Sequence, residues 1–322
     1  MGLLSALLAT NQPQAVSNLI QDQTGVTVDV PADPAERQLR QIMISDDAVL
    51  EEVNDWAHTN HIPQTDTNAI AALNRQIRDR LNTQRKSYER FLQEHPDSAH
   101  GYLAYGSYLN DIGDEDGGKI AFENSKQLDP KNPAVWNNLA NYYGEYSPVT
   151  NAFSYYAEAI RLDPAEAVYY HNLATTVFLF RKDAREFYHI DEQQVFDKAL
   201  DLYRQTIRLD PSNFVFSTDY ADSYYGIKPM RTNDALMAWT NALNTAHTDF
   251  EREGVQIHLA RTKIAAGRYA EAQGHLDLVT NSAYLSMKKR LERNLTQKLH
   301  PAAAPATSAA TNAPAPVTAQ NP

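Results

Sequence analysis

None of the chain's 322 residues is a cysteine. Disulfides, thiol nucleophiles and thiolate metal sites are therefore excluded, and the chain suits either redox compartment. No apolar run approaches the ~20 residues that a membrane-spanning helix needs. Positive charge is scarce: 29 Lys and Arg stand against 40 Asp and Glu, a net charge of −11. Nucleic-acid binding needs a basic surface, so nucleic acid is not expected as a partner. Catalytic signatures are missing too, with no Gly-rich phosphate loop, no nucleophile elbow and no helical His-Glu-x-x-His. Paired carboxylates are common in so acidic a chain and carry no weight without a pocket. The sequence thus gives no reason to expect an enzyme, a cofactor or a metal.

What is present is periodic. Trp136, Leu139 and Tyr143 fall on one stripe of a helix, with the small Ala140 where another backbone must come close. Ala152, Tyr156, Ala159 and Pro164 continue the pattern on a second, antiparallel helix. Closing prolines stand at Pro96, Pro130, Pro164 and Pro211, spaced by 34, 34 and 47 residues. The last spacing is 34 plus 13, so one unit carries an insertion. Leu128-Asp129-Pro130, Leu162-Asp163-Pro164 and Leu209-Asp210-Pro211 repeat one ending three times. Each Pro ends a helix pair, because it lacks the backbone N–H a helix needs and restricts the residue before it.

Aromatic, Leu, small residue, aromatic, then Ala, aromatic, Ala and Pro resembles the tetratricopeptide repeat. The resemblance implies an all-α fold: a right-handed solenoid of helical hairpins with capping helices at both ends. The first full unit spans 99–132, with Tyr102, Tyr105, Gly106, Leu109, Phe122 and Pro130 in place. The second spans 133–166. The third, 167–213, uses Tyr170, Leu173, Ala174 and Val177, carries the insertion near 178–191, and resumes with Ala199 and Tyr203. The fourth, 214–252, uses Tyr220, Ala221, Tyr224, Ala235, Trp239 and Ala242; the fifth, 253–281, uses Leu259, Ala260, Tyr269, Ala272 and Leu276. Both lack the closing Pro.

The ends are less regular. Residues 1–32 open with a short apolar run but hold no Lys or Arg, which precede such a run in a signal peptide. A docked N-terminal helix and the remnant of a secretion signal both stay open, and with them a cytoplasmic or a periplasmic or secreted location. Residues 33–66 read as an acidic helical pair, one helix capped by Asp33-Pro34 and a second restarting at Ser45-Asp46-Asp47, which together cap the array. Residues 67–98 read as a degenerate unit, with Tyr88 in step with Phe122 and Tyr156. Its basic run from Arg75 to Arg90 is either an anion-docking surface or a solvated face that complements the acidic segment. Tyr284, Met287, Leu291 and Leu295 form one stripe of a capping helix over 282–300, and the Ala- and Pro-rich residues 301–322 are expected to be disordered.

Two motifs invite a metal and fail to support it. Asp114, Asp116, Gly117 and Glu123 echo a calcium loop, but Ile112 would occupy its first ligand position. His58 and His61 flank a helix end with no third ligand indicated.

The resemblance also implies a binding role. First-helix side chains of this repeat line a concave groove, here Leu103 and Ser107, Asn137 and Asn141, His171 and Thr175, Thr218 and Asp222, and Ile257 and Arg261. Asn137 and Asn141 suit an extended peptide backbone, because an amide both donates and accepts. Where some members grip a carboxylate with basic residues, this chain has Leu103, Val168 and Asn172, so that mode is not expected. The insertion is a second candidate surface, with Arg181, Lys182, Arg185 and Tyr188 of interface-favoured types. Its Phe187, Tyr188 and Ile190 can equally fold back over Phe196 and the next unit. The expected function is a non-enzymatic scaffold binding protein or peptide. A structural or self-associating scaffold and a non-catalytic subunit of an enzyme complex are the alternatives.

Overall fold

A computed structural model describes residues 33–59, 62, 65–146 and 148–300. The N-terminal segment 1–32, His61 and the tail 301–322 lie outside the described residues. Among the described residues the regular structure is helical and includes no strand. They divide into two compact units at Pro211/Ser212.

The first unit holds α1 (Pro34–Thr59), α2 (Thr67–Glu94), α3 (Ala99–Asp111), α4 (Glu115–Leu128), α5 (Pro133–Tyr146), α6 (Val149–Leu162), α7 (Ala167–Leu179), α8 (Arg181–Tyr188) and α9 (Glu192–Leu209). The hairpins are α1–α2, α3–α4, α5–α6 and α7–α9, and each packs on the next. The second unit holds α10 (Phe214–Ser223), α11 (Thr232–Thr245), α12 (Asp249–Ala265), α13 (Tyr269–Asp277) and α14 (Leu285–Leu299). There α10 pairs with α11 and α12 with α13, while Leu291 and Leu295 of α14 close a core containing Ile257, Ala260, Ile264, Ala272 and Leu276.

The repeated ending is repeated in backbone geometry. Asp129, Asp163 and Asp210 follow α4, α6 and α9 with φ of −134°, −137° and −132° and ψ of 84°, 92° and 82°. Asp129 and Asp163 each accept the N–H two residues on at 3.0 Å, holding the chain in a turn across the Pro. The next first helix is anchored to that turn: Trp136 Nε1 donates to the Pro130 carbonyl at 2.9 Å, and Tyr170 Oη to that of Pro164 at 3.3 Å.

Within a hairpin the crossing depends on a small residue. Gly106 is buried, and a Cβ there would lie 2.5 Å from Phe122 and 3.1 Å from the Gly118 carbonyl. Ala140 and Ala174, one and two periods on, are fully buried at the same step. Tyr156 stands one period after Phe122 and shares a core with Ala140, Ala152 and Leu173.

One expectation for the N-terminal segment is corrected. Ser45-Asp46-Asp47 restarts nothing, because α1 runs unbroken from Pro34 to Thr59 and Asp46 faces inward to accept from Tyr88 Oη at 2.9 Å. Residues 67–98 hold the one helix α2, in the second-helix place of a hairpin whose first helix is α1. The basic run on α2 meets acids on two sides. Arg80 pairs with Glu52 of α1, and Arg85 with Asp114 before α4, both at 2.8 Å. Asp114 also caps α4 by accepting from Gly117 N–H, and Asp116 accepts from Tyr142 Oη at 2.8 Å, so both carboxylates serve the turn.

The extra residues of the third unit form α8 and its flanking turns. Phe187 and Tyr188 pack on Phe153 of α6, at ring separations of 5.3 and 5.6 Å. They cover the preceding hairpin rather than Phe196, which meets Phe178 instead. The helix ends at His189, whose φ of +55° is left-handed, and Ile190 N–H reaches back to the Arg185 carbonyl at 3.2 Å. A side chain in that conformation is strained by about 1–2 kcal/mol.

Two substitutions test this packing. His189→Gly should raise the unfolding free energy by about 0.5–1 kcal/mol, the strain relieved outweighing the extra freedom of the unfolded chain. Urea denaturation measures it, and a loss of stability would mean that the His189 ring makes an offsetting contact. Gly106→Val should lower stability by about 1–3 kcal/mol through overpacking against Phe122. An unchanged midpoint would show that Phe122 can swing aside.

Candidate functional site

In the first unit the first-helix side chains make a row along α3, α5 and α7. Leu103 closes the α3 end by packing against Phe122, Val135 and Leu139, while Ser107 is half-buried beside it. On α5, Asn137 is only 2 % exposed, and its Oδ1 accepts from Asn172 Nδ2 of α7 at 3.0 Å. Asn141, one turn on, is half-buried. Its Oδ1 accepts from Tyr156 Oη at 2.7 Å and lies 3.5 Å from the same Asn172 amide. Burial pushes the Tyr156 phenol well above its ordinary pKa, so it remains a donor and fixes the orientation of Asn141. The Asn141 amide nitrogen makes no hydrogen bond among the described residues.

On α7, His171 is 7 % exposed, its Nδ1 is 3.4 Å from Asn172 Oδ1, and its ring meets Tyr203 edge-on at 5.9 Å. Thr175 is half-buried, with Oγ1 2.9 Å from Tyr203 Oη. The structure therefore brings Asn137, Asn141, His171 and Thr175 together, but buries Asn137 and His171. The reachable members are Asn141 and Thr175, together with Asn172. Sequence reasoning weighed Asn172 only as a missing basic residue; three nearby Asn on α5 were the signal for a shared amide network. The row from Ser107 to Thr175 contains no Lys, Arg, Asp or Glu.

In the second unit Thr218 donates to the Val215 carbonyl of its own helix at 2.9 Å, and Ile257 is a buried core residue. Asp222 is exposed; surrounding protein raises its pKa, with Arg261 opposing and Asp219 adding. Arg261 lies 3.8 Å above the Tyr225 ring, a cation–π contact. Beneath it Trp239 and His258 stack at 4.1 Å, and Tyr225 Oη lies 3.2 Å from Thr262 Oγ1 and 3.3 Å from His258 Nδ1. Burial, reinforced by Arg261, lowers His258 to about 4, so it is neutral at ordinary pH. His258 and Tyr225 had no local signal, since nothing in their spacing sets them apart from packing residues.

On α8, Arg181, Lys182 and Arg185 are exposed, and Arg181 Nε lies 3.4 Å from Glu192 Oε1. Tyr188 is not an open contact. It is half-buried on Phe153 with Lys198 Nζ 4.2 Å from its ring, and burial raises its phenol to about 12. Among the described residues no group of three acids or His is placed to hold a metal. His58 Nδ1 is bonded to the Asn54 carbonyl at 2.8 Å. No helix among them is long and apolar enough to cross a membrane.

No protein-family model matches the chain, and no curated protein matches it. Solved structures do. The C-terminal part of a repeat protein of this kind from Cytophaga hutchinsonii aligns with a TM-score of 0.51 at 12 % identity, covering 79 % of this chain and 97 % of that one. PilF of Pseudomonas aeruginosa aligns with a TM-score of 0.48 at 14 % identity, over 82 % of this chain and 95 % of PilF. YrrB, described as having an unusual peptide-binding site, aligns with a TM-score of 0.47 at 12 % identity, over 66 % of this chain and 96 % of YrrB. With the 34-residue period, the three matching turns and the stacked hairpins, the first of these likenesses identifies the fold of this chain as that of the tetratricopeptide-repeat proteins.

Proposed function

We propose that the chain is a non-catalytic scaffold that binds protein or peptide partners, and that an extended segment of the partner lies along the row formed by α5 and α7. The observation that carries this is the amide pair Asn141 and Asn172, half-buried on neighbouring hairpins and already oriented by Tyr156 and Asn137. Side-chain amides held in place can donate to and accept from a peptide backbone without ordering on binding. Thr175 adds a hydroxyl on the same face. Because the row is uncharged, recognition rests on backbone hydrogen bonds and shape, and long-range steering is weak. Asp222 and Arg261 belong to a separate place in the second unit and are not needed for this contact.

A second reading has its own observation. Arg181, Lys182 and Arg185 project from α8, a helix absent from the basic repeat, and suit an acidic partner.

Peptides selected from a displayed random library on the full chain distinguish the two. Asn141→Ala with Thr175→Val should weaken the selected peptides by about tenfold or more, the value of one or two hydrogen bonds. Affinity should change little between low and high salt, and serine at 181, 182 and 185 should leave it intact. Loss of affinity only in the triple-serine variant, with steep salt dependence, would move the site to α8. Selection of no peptide, with the chain associating only with itself, would support the assembly scaffold instead.

A further inference from the structure

The interface of α1 with α2 and α3 contains a carboxylate that the solenoid packing does not explain. Asp46 is 8 % exposed and sits one turn before the fully buried Val49 on the inner face of α1. Its Oδ2 accepts from Tyr88 Oη at 2.9 Å, whereas its Oδ1 is buried with no partner among the described residues. The Tyr88 ring stacks on Tyr105 and Tyr108 of α3, at 5.5 and 5.4 Å. Tyr108 Oη is committed to the Leu81 carbonyl at 2.6 Å and Tyr105 Oη to Glu89 at 3.2 Å, so neither turns to Asp46.

Among the described residues no cation offsets the acid. From α1 itself comes Asp47, and from α3 comes Asp111, both of the same sign as Asp46. The nearby cations of α2 are engaged elsewhere, Arg80 with Glu52 and Arg85 with Asp114. A charged carboxylate left in such a place, with one hydrogen bond and like charges around it, opposes the docking of the helix that carries it. A neutral carboxyl opposes it far less.

We infer that α1 is an acid-favoured latch, which closes on α2 and α3 with Asp46 uncharged and loosens when Asp46 ionises, baring the Tyr88, Tyr105 and Tyr108 face.

Titration fits this geometry. Burial, with Asp111 and Asp47 adding to it and the Tyr88 hydrogen bond opposing, lifts Asp46 from 3.8 to about 7. Burial and Asp47 lift Asp111 to about 6. The docked state therefore holds protons that the undocked state has released. Docking is strongest below the ordinary carboxylate range and weakens as pH rises toward 7, the reverse of an acid stabilised by a salt bridge.

Hydrogen exchange of the full chain, corrected for intrinsic rates and followed by mass spectrometry at about pH 5 and about pH 8, reads the latch. The opening equilibrium of α1 peptides should rise about tenfold or more between the two, one pKa unit or more of differential binding, while α5 and α6 stay constant. Asp46→Asn should remove most of the pH dependence of α1, leaving the smaller part that Asp111 carries, and protect it at the higher pH. Asp111→Asn, which removes a like charge at an exposed position, should lessen the loosening at the higher pH. Exchange of α1 that is independent of pH would overturn the latch. So would an Asp46→Asn variant that keeps the parent's pH dependence. If Asp46→Asn fails to fold, Asp111→Asn decides, and an α1 opening at the higher pH as large as the parent's overturns the proposal.

Discussion

The structure depends on how closely two helices of a hairpin can approach. At Gly106 the backbone of α3 meets the Phe122 ring and the Gly118 carbonyl with no room for a methyl group. One and two periods later the same step is filled by a fully buried Ala. Close approach lets the aromatic of the second helix lie across the first, and dispersion and apolar burial accumulate over that contact. A large residue on the first helix would separate the pair and also displace the hairpin stacked behind it. The hairpin contact and the stacking contact are thus one constraint, which is why the step recurs at a fixed period of 34 residues.

That constraint also decides which side chains are available. Positions that face the hairpin partner or the next hairpin are occupied by packing. What remains on α5 and α7 is a polar row, and even there Asn137 has been drawn inward to join neighbouring hairpins through Asn172. In the proposed function, recognition and assembly share these amides. Asn141 is on the outer side of the division, because Tyr156 holds only its oxygen. In α8 the division runs differently: the aromatics and Ala184 cover Phe153, and the three cations are left outside.

Features written in local chemistry were legible in the sequence. The Leu-Asp-Pro endings specify a turn from three adjacent residues, and three such turns have nearly the same dihedrals. Aromatic and small residues at helical spacing specify a stripe without reference to anything distant. Features settled by distant partners were not legible. Ser45-Asp46-Asp47 has the composition of a helix start, yet Asp46 lies mid-helix because its hydroxyl partner is Tyr88, 42 residues away. The long α2 looked like a unit of its own because α1 carries none of the repeat's marks. Tyr188 reads equally as an exposed contact and as a packing residue, and the choice rests on Phe153 and Lys198, which are distant in sequence. His258 and Tyr225 are brought together by the crossing of three helices, and no short spacing records that.

The central claim is that the helix crossings leave one uncharged amide row as the partner-facing surface. Its most direct measurement is the set of intermolecular nuclear Overhauser contacts between the labelled chain and a peptide selected on it. The account predicts contacts from the peptide backbone to the side-chain amides of Asn141 and Asn172 and to the Thr175 methyl group, with none to α8. Contacts confined to Arg181, Lys182 and Arg185, with the amide resonances of the row unmoved, would contradict it.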